Sequence, residues 1–338
     1  MKAGFYRGPG DFAVTDIAEP TLAAPDEVLV EVEVAGMCGT DLHIVSVPQM
    51  HPAAPGIVLG HEFVGRVVEV GPKVSGLSRG DRVVAAPNIW CGQCGSCRAG
   101  RRKHCDNNRA LGISINGGFT RFVVAPARVL YPVPAGIPPE QALFAEPLSC
   151  CMNGVLRLGS LVGARAAVLG AGPIGQYFIR LLRHFGAGSV LAVEPVEHRR
   201  KTALGSGADH VLDPTGTDVA GAVSKWAGGR GADVVIDTVG SLLPVACAAA
   251  RPGGRILLFG MDTTAESRVM PFDLVRNEKT IFGCFIDNDQ VPLCLDVIPS
   301  LRLGELITHR VSLNDIDQGF AAVRDGTAMK VLVLPGAA

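Results

Sequence analysis

Four cysteines crowd into one short polar segment, 91-CGQCGSCRAGRRKHC-105, of a chain that has ten in all. They follow the spacing C-x2-C-x2-C-x7-C, and they are Cys91, Cys94, Cys97 and Cys105. Four thiolates satisfy a tetrahedral zinc ion and leave no coordination position open, so the spacing predicts a structural zinc site. An iron–sulfur cluster is the alternative, but the spacing differs from both ferredoxin patterns.

A second group of possible metal ligands is scattered along the first 150 residues. Cys38, His61 and Glu62 offer a thiol, an imidazole and a carboxylate, and Glu146 offers a second carboxylate. A catalytic zinc needs three protein ligands and an exchangeable position at which an alcohol oxygen can bind and lose its proton. Taken singly, His61 could be a core histidine and Glu146 a charge at a helix end. Taken together, the four residues predict a reactive zinc site.

Glycines with the spacing G-x-G-x-x-G occur in the segment 166-AAVLGAGPIGQYFIRLLRHFG-186. An apolar strand pattern precedes them and an amphipathic helix pattern follows, which is the context that dinucleotide binding requires. The glycines permit a tight turn and a close approach of the backbone, so that a pyrophosphate sits at the helix N-terminus. The residues predicted to contact the dinucleotide here are Gly170, Gly172, Pro173, Ile174 and Gly175.

The choice between NAD and NADP depends on residues at the end of the next strand. Glu194 ends that strand, nineteen residues after Gly175, where a carboxylate accepts hydrogen bonds from the adenosine ribose. The same carboxylate repels a 2′-phosphate and therefore favours NAD. Arg199 and Arg200 favour NADP instead, because arginines just past this strand can bind that phosphate. The sequence predicts NAD as the cofactor, with NADP less favoured.

The elements that must position these residues change character near residue 150. Before it, β-branched residues alternate with polar ones between Gly and Pro turns, which is typical of strands. Such segments are 27–36, 63–71, 81–87 and 119–126. After it, apolar strand patterns alternate with helical stretches, as in a parallel sheet built from βαβ units. These apolar strand segments are 166–170, 190–194, 233–237 and 255–260.

Strand patterns return near the C-terminus, at 309–313 and 330–335, with a helical stretch at 314–326 between them. Asn314 is the predicted N-cap of that helix, and Asp317 adds a negative charge to its first turn. We therefore expect an α/β protein with a split β-rich domain, interrupted by a doubly wound α/β domain. The predicted limits are 1–150 with 296–338 for the β-rich domain, about 88–108 for its zinc lobe, and 151–295 for the α/β domain.

Composition narrows the class of protein. The chain has 338 residues, 48% of them hydrophobic, and a net charge of -1, which suits two globular domains. Because there is no basic excess, we expect no nucleic-acid partner. No apolar run approaches the ~20 residues of a membrane span, and the N-terminus lacks a signal-peptide pattern, so we expect a cytoplasmic protein without a membrane partner.

In chain order, the motifs CGTDLH, GHE, the four-cysteine segment, AEP and GAGPIG resemble those of the zinc-containing medium-chain dehydrogenase/reductase superfamily. The resemblance covers nearly the whole chain and is greatest to the polyol (sorbitol-like) and L-threonine dehydrogenase branch. The classical alcohol dehydrogenase branch carries a cysteine near the position of Glu146 instead. The resemblance implies a GroES-like catalytic domain, a Rossmann domain, two zinc ions per chain, and a homodimer or homotetramer.

The resemblance also assigns roles around the catalytic zinc. Cys38 and His61 match constant zinc ligands. Glu62 and Glu146 match the variable ones, which either ligate the metal or hold its water. Asp41 is expected to orient His61 through the second ring nitrogen of the imidazole.

Three further roles follow from the same resemblance. Thr40 and His43 are expected to relay the alcohol proton towards solvent. Arg199 lies where the family often has a basic residue beside the adenosine. The hydride goes to the nicotinamide, while zinc stabilises the developing alkoxide charge.

The sequence thus predicts an enzyme that transfers a hydride between NAD and a secondary hydroxyl of a polyol, sugar alcohol or similar small polar alcohol. L-threonine 3-dehydrogenase and a simple alcohol dehydrogenase are the alternatives. A more distant one is a non-catalytic nucleotide-binding sensor, which would be expected to have lost zinc ligands, and this chain keeps them all.

Overall fold

The computed structural model describes residues 1–286 and 289–336. The chain divides into two compact units, Met1–Ser149 with Asp287–Ala338, and Cys150–Ile286. The first break lies one residue before the predicted position, and the second lies after residue 286 rather than 295. The sequence pattern could not place this second break, because it does not show which core the short apolar helix Val291–Val297 joins.

The first unit is rich in β-strands. Its strands are β1 (Lys2–Gly8), β2 (Asp11–Asp16), β3 (Glu27–Met37), β4 (Ile57–Val58), β5 (Glu62–Val70), β6 (Arg82–Ala85), β7 (Asn88–Ile89), β8 (Arg109–Ala110), β9 (Phe122–Pro126), β10 (Leu130–Pro132), β17 (Ile307–Ser312) and β18 (Lys330–Leu334). Its helices are α1 (Gly39–Val45), α2 (Gly95–Arg98), α3 (Pro139–Ala142), α10 (Val291–Val297) and α11 (Ile316–Arg324). Helix α4 (Ala145–Arg157) begins in this unit and continues past its limit.

The largest sheet of this unit has the order β10-β6-β5-β3-β18-β17, with β9 also paired to β3. Strand β3 alternates as predicted: Val28, Val30 and Val32 are buried, and the residues between them are half-buried. Its last residues, Val34–Met37, are all buried, so the chain reaches Cys38 from inside the core. Strands β3 and β5 pair antiparallel, and Gly36 lies opposite Glu62. The pairing of β3 with β5 therefore brings the end of β3, which leads to Cys38, close to Glu62. Two parts of the predicted metal site thus lie together.

The C-terminal strand β18 pairs antiparallel with β3 and parallel with β17, which confirms that the β-rich domain is split. Helix α11 packs on this sheet, but its predicted cap is wrong. Asn314 lies inside a short 3-10 turn, where Ser312 accepts a hydrogen bond from the Asp315 N–H at 3.3 Å. The helix proper then begins at Ile316. The cap is Ser312, two residues before Asn314. The sequence pattern alone did not distinguish these two possible caps.

The second unit is a parallel α/β sheet. Its strands are β11 (Arg165–Leu169), β12 (Ser189–Val193), β13 (His210–Leu212), β14 (Ala232–Asp237), β15 (Ala250–Leu258) and β16 (Thr280–Gly283). Its helices are α5 (Pro173–His184), α6 (Glu197–Ser206), α7 (Val219–Trp226), α8 (Leu243–Ala249) and α9 (Pro271–Arg276). The strand order is β13-β12-β11-β14-β15-β16, and the direction of winding reverses between β11 and β14. Ligands bind at such a reversal, beyond the carboxyl ends of the strands.

The predicted α/β architecture, with a β-rich unit and a doubly wound parallel sheet, is confirmed. Among the described residues, the helices are too short or too polar to cross a bilayer.

Candidate active site

Cys38 lies between β3 and α1, at the point where the chain leaves the sheet. The buried carboxylate of Asp41 accepts a hydrogen bond from the Cys38 backbone N–H at 2.9 Å. The Asp41 N–H in turn donates to the Cys38 carbonyl oxygen at 3.1 Å. This closed turn fixes the backbone that carries the Cys38 thiol.

The same carboxylate faces His61. Oδ1 of Asp41 lies 3.4 Å from Nδ1 of His61, and both side chains are buried. Within the described part of the chain, neither of these two atoms forms another hydrogen bond. A carboxylate that faces Nδ1 leaves Nε2 as the nitrogen available to a metal. The structure thus places Asp41 against both Cys38 and His61.

Closely packed backbone holds His61 in position. An ideal Cβ on Gly112 would lie 2.5 Å from the Gly60 carbonyl carbon and 2.6 Å from the His61 nitrogen. A Cβ on Gly117 would collide with the Gly60 carbonyl oxygen. Real Cβ atoms do not approach backbone this closely, so glycine is required at both positions. The sequence analysis had not recognised this loop as part of the site.

The ligand atoms of Cys38, His61 and Glu62 all lie within 4.8 Å of one another. Burial lowers the pKa of His61, and the carboxylate of Asp41 raises it. With Cys38 adding to this effect, the pKa of His61 stands well above its usual range. A pocket that attracts positive charge and offers sulfur, nitrogen and oxygen suits a zinc ion, and three donors leave a fourth position for a substrate oxygen.

Lys330 was missed by the sequence analysis. It begins β18, is 4% exposed, and its Nζ forms an ion pair with Oε2 of Glu62, which is 1% exposed. A Cβ on Gly36 would collide with this carboxylate, so a glycine on β3 makes room for the pair. The ion pair holds Glu62 beside Cys38 and His61 and offsets its charge.

Glu146, in the first turn of α4, is buried but lies outside that set of three ligand atoms. Burial first, and the charge of Glu62 second, raise the pKa of Glu146 to about 7. The charges of His61 and Lys330 lower this pKa and limit the rise. The structure thus places both predicted carboxylates near the His61 imidazole, in different environments.

Thr40 and His43 occupy the same helix as Asp41. Oγ1 of Thr40 lies 3.8 Å from the Cys38 sulfur. His43 follows three residues later on α1 and is exposed, so the two side chains point to the same side of the helix. A hydroxyl beside the thiol and an exposed imidazole one turn further on could carry a proton outwards.

The four cysteines of the zinc lobe come together as their spacing predicts. Their sulfur atoms all lie within 4.8 Å of one another, and those of Cys94 and Cys105 are 4.0 Å apart. A tetrahedral zinc with Zn–S bonds of about 2.3 Å separates its sulfurs by about 3.8 Å, so this separation fits zinc. Backbone N–H groups also point at sulfur, from Cys94 to Cys91 and from Cys97 to Cys94, both at 3.4 Å.

Backbone donors favour the thiolate form of Cys91. The N–H groups of Gln93 and Cys94 lower the pKa of Cys91 to about 6. Since a thiolate rather than a thiol binds metal, this is the protonation state that zinc requires. The lobe fits a closed structural zinc site.

The glycine-rich turn of the second unit has the geometry of a dinucleotide site. Gly170 has a φ of 90°, and a Cβ on Gly175 would collide with the Gly170 carbonyl oxygen. Helix α5 then begins at Pro173, directly after Gly172, and Ile174 belongs to its first turn. The turn therefore lies tightly under the helix N-terminus, where backbone N–H groups favour a pyrophosphate.

Glu194 is buried beside the glycine-rich turn and binds the backbone there. Its carboxylate accepts hydrogen bonds from the N–H groups of Ala171 at 2.8 Å and Val196 at 3.1 Å. Arg199 lies nearby, with Nη1 4.0 Å from Oε1 of Glu194. Glu194 thus places a carboxylate beside the glycine-rich turn, as the NAD prediction requires, with the Arg199 guanidinium next to it.

Arg200 has a different environment from Arg199. Its Nη1 donates to the carbonyl oxygens of Glu194 and Pro195, each at 2.7 Å, and lies 3.0 Å from Oδ2 of Asp213. These bonds hold Arg200, which lies on α6, against the residues that follow β12 and β13. Arg199 is the arginine that lies towards the glycine-rich turn. Its Nη1 lies 3.8 Å from the position that a Cβ on Gly172 would occupy.

Two more groups that the sequence analysis missed support this turn. The buried Gln176 donates from Nε2 to the carbonyl oxygens of Ala171 at 2.7 Å and Arg199 at 3.3 Å. The hydroxyl of Thr238, at the end of β14, donates to the Gly170 carbonyl oxygen at 2.9 Å. In the sequence, Gln176 is marked only by its position after the glycine motif. Thr238 is marked only by its position after a buried strand.

Comparison with known families agrees with this geometry. Residues 24–135 match the alcohol dehydrogenase GroES-like domain, and residues 173–299 match the zinc-binding dehydrogenase domain. The first match includes the predicted metal ligands Cys38, His61 and Glu62, and the second covers most of the α/β unit.

Comparison with individual proteins extends over nearly the whole chain. L-threonine 3-dehydrogenase of Pyrococcus abyssi is 37% identical over 94% of this chain and 93% of its own. The 2-dehydro-3-deoxy-L-galactonate 5-dehydrogenase of Pseudoalteromonas atlantica is 34% identical over 98% of each. A zinc-binding dehydrogenase of Sinorhizobium meliloti 1021, solved bound to NADP, superposes with a TM-score of 0.94 at 33% identity over 99% of both chains. This chain is a zinc-binding alcohol or polyol dehydrogenase, and it belongs to the threonine and polyol dehydrogenase branch of the zinc-containing medium-chain dehydrogenase/reductase superfamily.

Proposed function

We propose that this enzyme oxidises a secondary hydroxyl of a small polar alcohol, such as a polyol or sugar alcohol, with NAD as hydride acceptor. The observation that supports it most strongly is the set formed by the half-buried Cys38 with the buried His61 and Glu62, whose ligand atoms lie within 4.8 Å of one another. The carboxylates and the buried lysine around this set make its surroundings polar. A polar substrate suits such a site better than a purely apolar alcohol does.

In this proposal, Cys38 and His61 ligate a catalytic zinc, and Cys91, Cys94, Cys97 and Cys105 hold a structural one. When bound, the catalytic zinc acts as a Lewis acid that makes the substrate hydroxyl easier to deprotonate. Asp41 keeps Nε2 of His61 turned to the ligand position. Glu62 and Glu146 share the remaining polar positions around the zinc, where each either ligates it or holds water.

Two residues of helix α1 transfer the proton. Thr40 lies beside the Cys38 sulfur and takes the proton of the substrate hydroxyl. His43, exposed one turn later, passes it to solvent. Glycine-rich turn residues Gly170, Gly172, Pro173, Ile174 and Gly175 hold the pyrophosphate of the cofactor, and Glu194 and Arg199 contact its adenosine ribose.

L-threonine is the second candidate substrate, because L-threonine 3-dehydrogenases are similar to this chain over more than nine-tenths of its length. A panel of polyols, L-threonine and simple alcohols, assayed by NADH formation with zinc-replete enzyme, separates these candidates. We expect kcat/KM to be highest for substrates with a second polar group. Equal rates for simple alcohols would contradict the proposed substrate class.

Cofactor choice provides a direct prediction. Replacing Glu194 with Gln should raise the ratio of kcat/KM with NADP to that with NAD at least about tenfold, because losing one like charge near a phosphate corresponds to roughly 1.4 kcal/mol. Gln retains an acceptor for one of the two backbone N–H groups that Glu194 binds. Steady-state kinetics with both cofactors measure the ratio.

The matched control is Arg199→Ala in the Glu194→Gln background. It should reverse the gain, because Arg199 is the arginine placed towards the glycine-rich turn. A wild-type enzyme that already prefers NADP would show that Glu194 does not select the cofactor.

We further propose that the protein is a cytoplasmic homodimer or homotetramer. Met270, directly before α9, and Phe272 and Val275 within it are 67%, 70% and 77% exposed. Strand β16, which follows α9, forms an edge of the parallel sheet. An open edge next to exposed apolar side chains is a favourable surface for pairing with a second copy. Light scattering on the purified protein tests the assembly, and a monomer at all concentrations would contradict it.

A further inference from the structure

The segment 46–56 connects α1 to β4 and is fixed against the elements of the metal site. The N–H of Met50 donates to the carbonyl oxygen of His43 at 3.1 Å. One residue earlier, Nε2 of Gln49 donates to the hydroxyl of Tyr6 at 2.8 Å. These bonds hold the middle of the segment beside helix α1, which carries Thr40 and Asp41.

His51 is the residue that follows this anchor, and it is half-buried. Burial lowers the pKa of His51, and the nearby His61 and His43 lower it further. The hydrogen bond to the Pro52 carbonyl oxygen and the charge of Asp41 raise it, without reversing the shift in this pKa. The imidazole therefore lies within the electrostatic reach of three residues of the metal site, and the shift in its pKa favours the neutral form.

The tautomer of this neutral ring follows from its one hydrogen bond. Nδ1 of His51 lies 2.9 Å from the carbonyl oxygen of Pro52. A carbonyl oxygen can only accept, so Nδ1 carries the hydrogen, and a neutral imidazole then has Nε2 as an acceptor. Within the described residues, the structure records no hydrogen bond to this Nε2. His51 thus offers a hydrogen-bond acceptor on a segment that is anchored to the catalytic helix.

We propose that His51 is a specificity-determining residue, whose Nε2 accepts a hydrogen bond from a second polar group of the substrate, either a hydroxyl or an ammonium. This inference rests on the proposed alcohol-oxidising function and makes its substrate class more specific. The lone pair on Nε2 attracts a donor, while it repels a carboxylate or phosphate oxygen in the same place. A simple alcohol has no second donor, so it leaves the acceptor unpaired and loses affinity.

Two variants separate this contact from a structural role. His51→Leu keeps a similar volume but removes the acceptor, and His51→Gln places an oxygen acceptor near the position of Nε2. Each enzyme is assayed with two substrate pairs that differ by one donor group, butane-2,3-diol with butan-2-ol, and L-threonine with 3-hydroxybutanoate. Zinc content is measured for every variant, so that a damaged metal site is recognised.

We expect His51→Leu to lower kcat/KM about 10-fold to 100-fold for the donor-bearing member of at least one pair, while its partner changes less than about twofold. His51→Gln should restore most of the loss. A loss confined to the diol identifies a hydroxyl as the group bound, and one confined to L-threonine identifies an ammonium. Equal losses within both pairs, or no loss in either, would overturn the proposal.

The test also distinguishes failure of the inference from failure of the proposed function. If the wild-type enzyme oxidises none of the four compounds, the proposed function is wrong for these substrates. Titration calorimetry of the diol and of L-threonine into zinc-loaded wild type and His51→Leu then tests the contact by itself. Weaker binding in the variant supports it, and identical or undetectable binding in both proteins contradicts it.

Discussion

Replacing Cys38 with Ala is expected to abolish dehydrogenase activity and to remove one of two zinc ions, leaving the other bound. Cys38 is the only sulfur donor in the set it forms with His61 and Glu62, and a thiolate is the ligand that binds zinc most firmly there. The four cysteines of the lobe form a separate set and should be unaffected. Elemental analysis paired with turnover measures both effects.

Cys94→Ser provides the control, because it removes one sulfur ligand from the four-cysteine set. It should release the lobe zinc and lower stability before it lowers activity, since metal binding there supports local folding. Retention of both zinc ions in Cys38→Ala, or loss of both, would contradict the assignment of two independent sites.

A companion variant, Glu146→Gln, tests the carboxylate that lies outside the ligand set. Glu146 is buried, and Gln keeps its size and one acceptor oxygen while removing the charge. Both zinc ions should remain, and turnover should fall by about 100-fold, a usual scale for losing a group that handles a proton or a bound water. Full activity would show that Glu146 is only a charge at a helix end and has no part in the reaction.

The features that the sequence predicted well depend on local pattern. Strand β3 extends over Glu27–Met37, and the alternation at 27–36 predicted it nearly to its ends. The four-cysteine lobe could be predicted from spacing alone, because its ligands are close along the chain. Strands such as β4 and β7 were missed, since two residues are too few to show any period.

The features that could not be predicted depend on contacts between distant segments. Glu62 and Lys330 are 268 residues apart, and a lysine at the start of a strand ordinarily suggests an exposed position. Its burial follows from β18 pairing with β3, which places it near Gly36. The position of Asp41 between Cys38 and His61 came from family resemblance, because no spacing rule links positions 41 and 61.

These long-range contacts also explain why glycines recur around the metal site. Gly36 makes room for the Glu62–Lys330 pair, and Gly112 lets a loop lie against the backbone of His61. Neither glycine is at a conventional motif position. Each is required by a partner that only the folded structure reveals.

Lys330→Met is expected to lower the free energy of unfolding by about 3–5 kcal/mol, which is the usual cost of leaving one member of a buried ion pair alone. Met matches the length of the lysine side chain but cannot offset the Glu62 charge, and both residues are almost fully buried. Denaturant unfolding of the zinc-loaded protein measures the change. Lys201→Met is the matched control, because Lys201 pairs with Glu197 at 2.7 Å on an exposed helix face, where an ion pair contributes little.

The double variant Lys330→Met with Glu62→Gln shows whether the effect comes from the charge or from the shape of Lys330. With both charges removed, no unpaired carboxylate remains, and the double variant should be more stable than Lys330→Met alone. If the loss came from packing, Glu62→Gln would add a second loss rather than offset the first. A double variant less stable than either single one would therefore show that Lys330 supports the sheet and not the charge of Glu62.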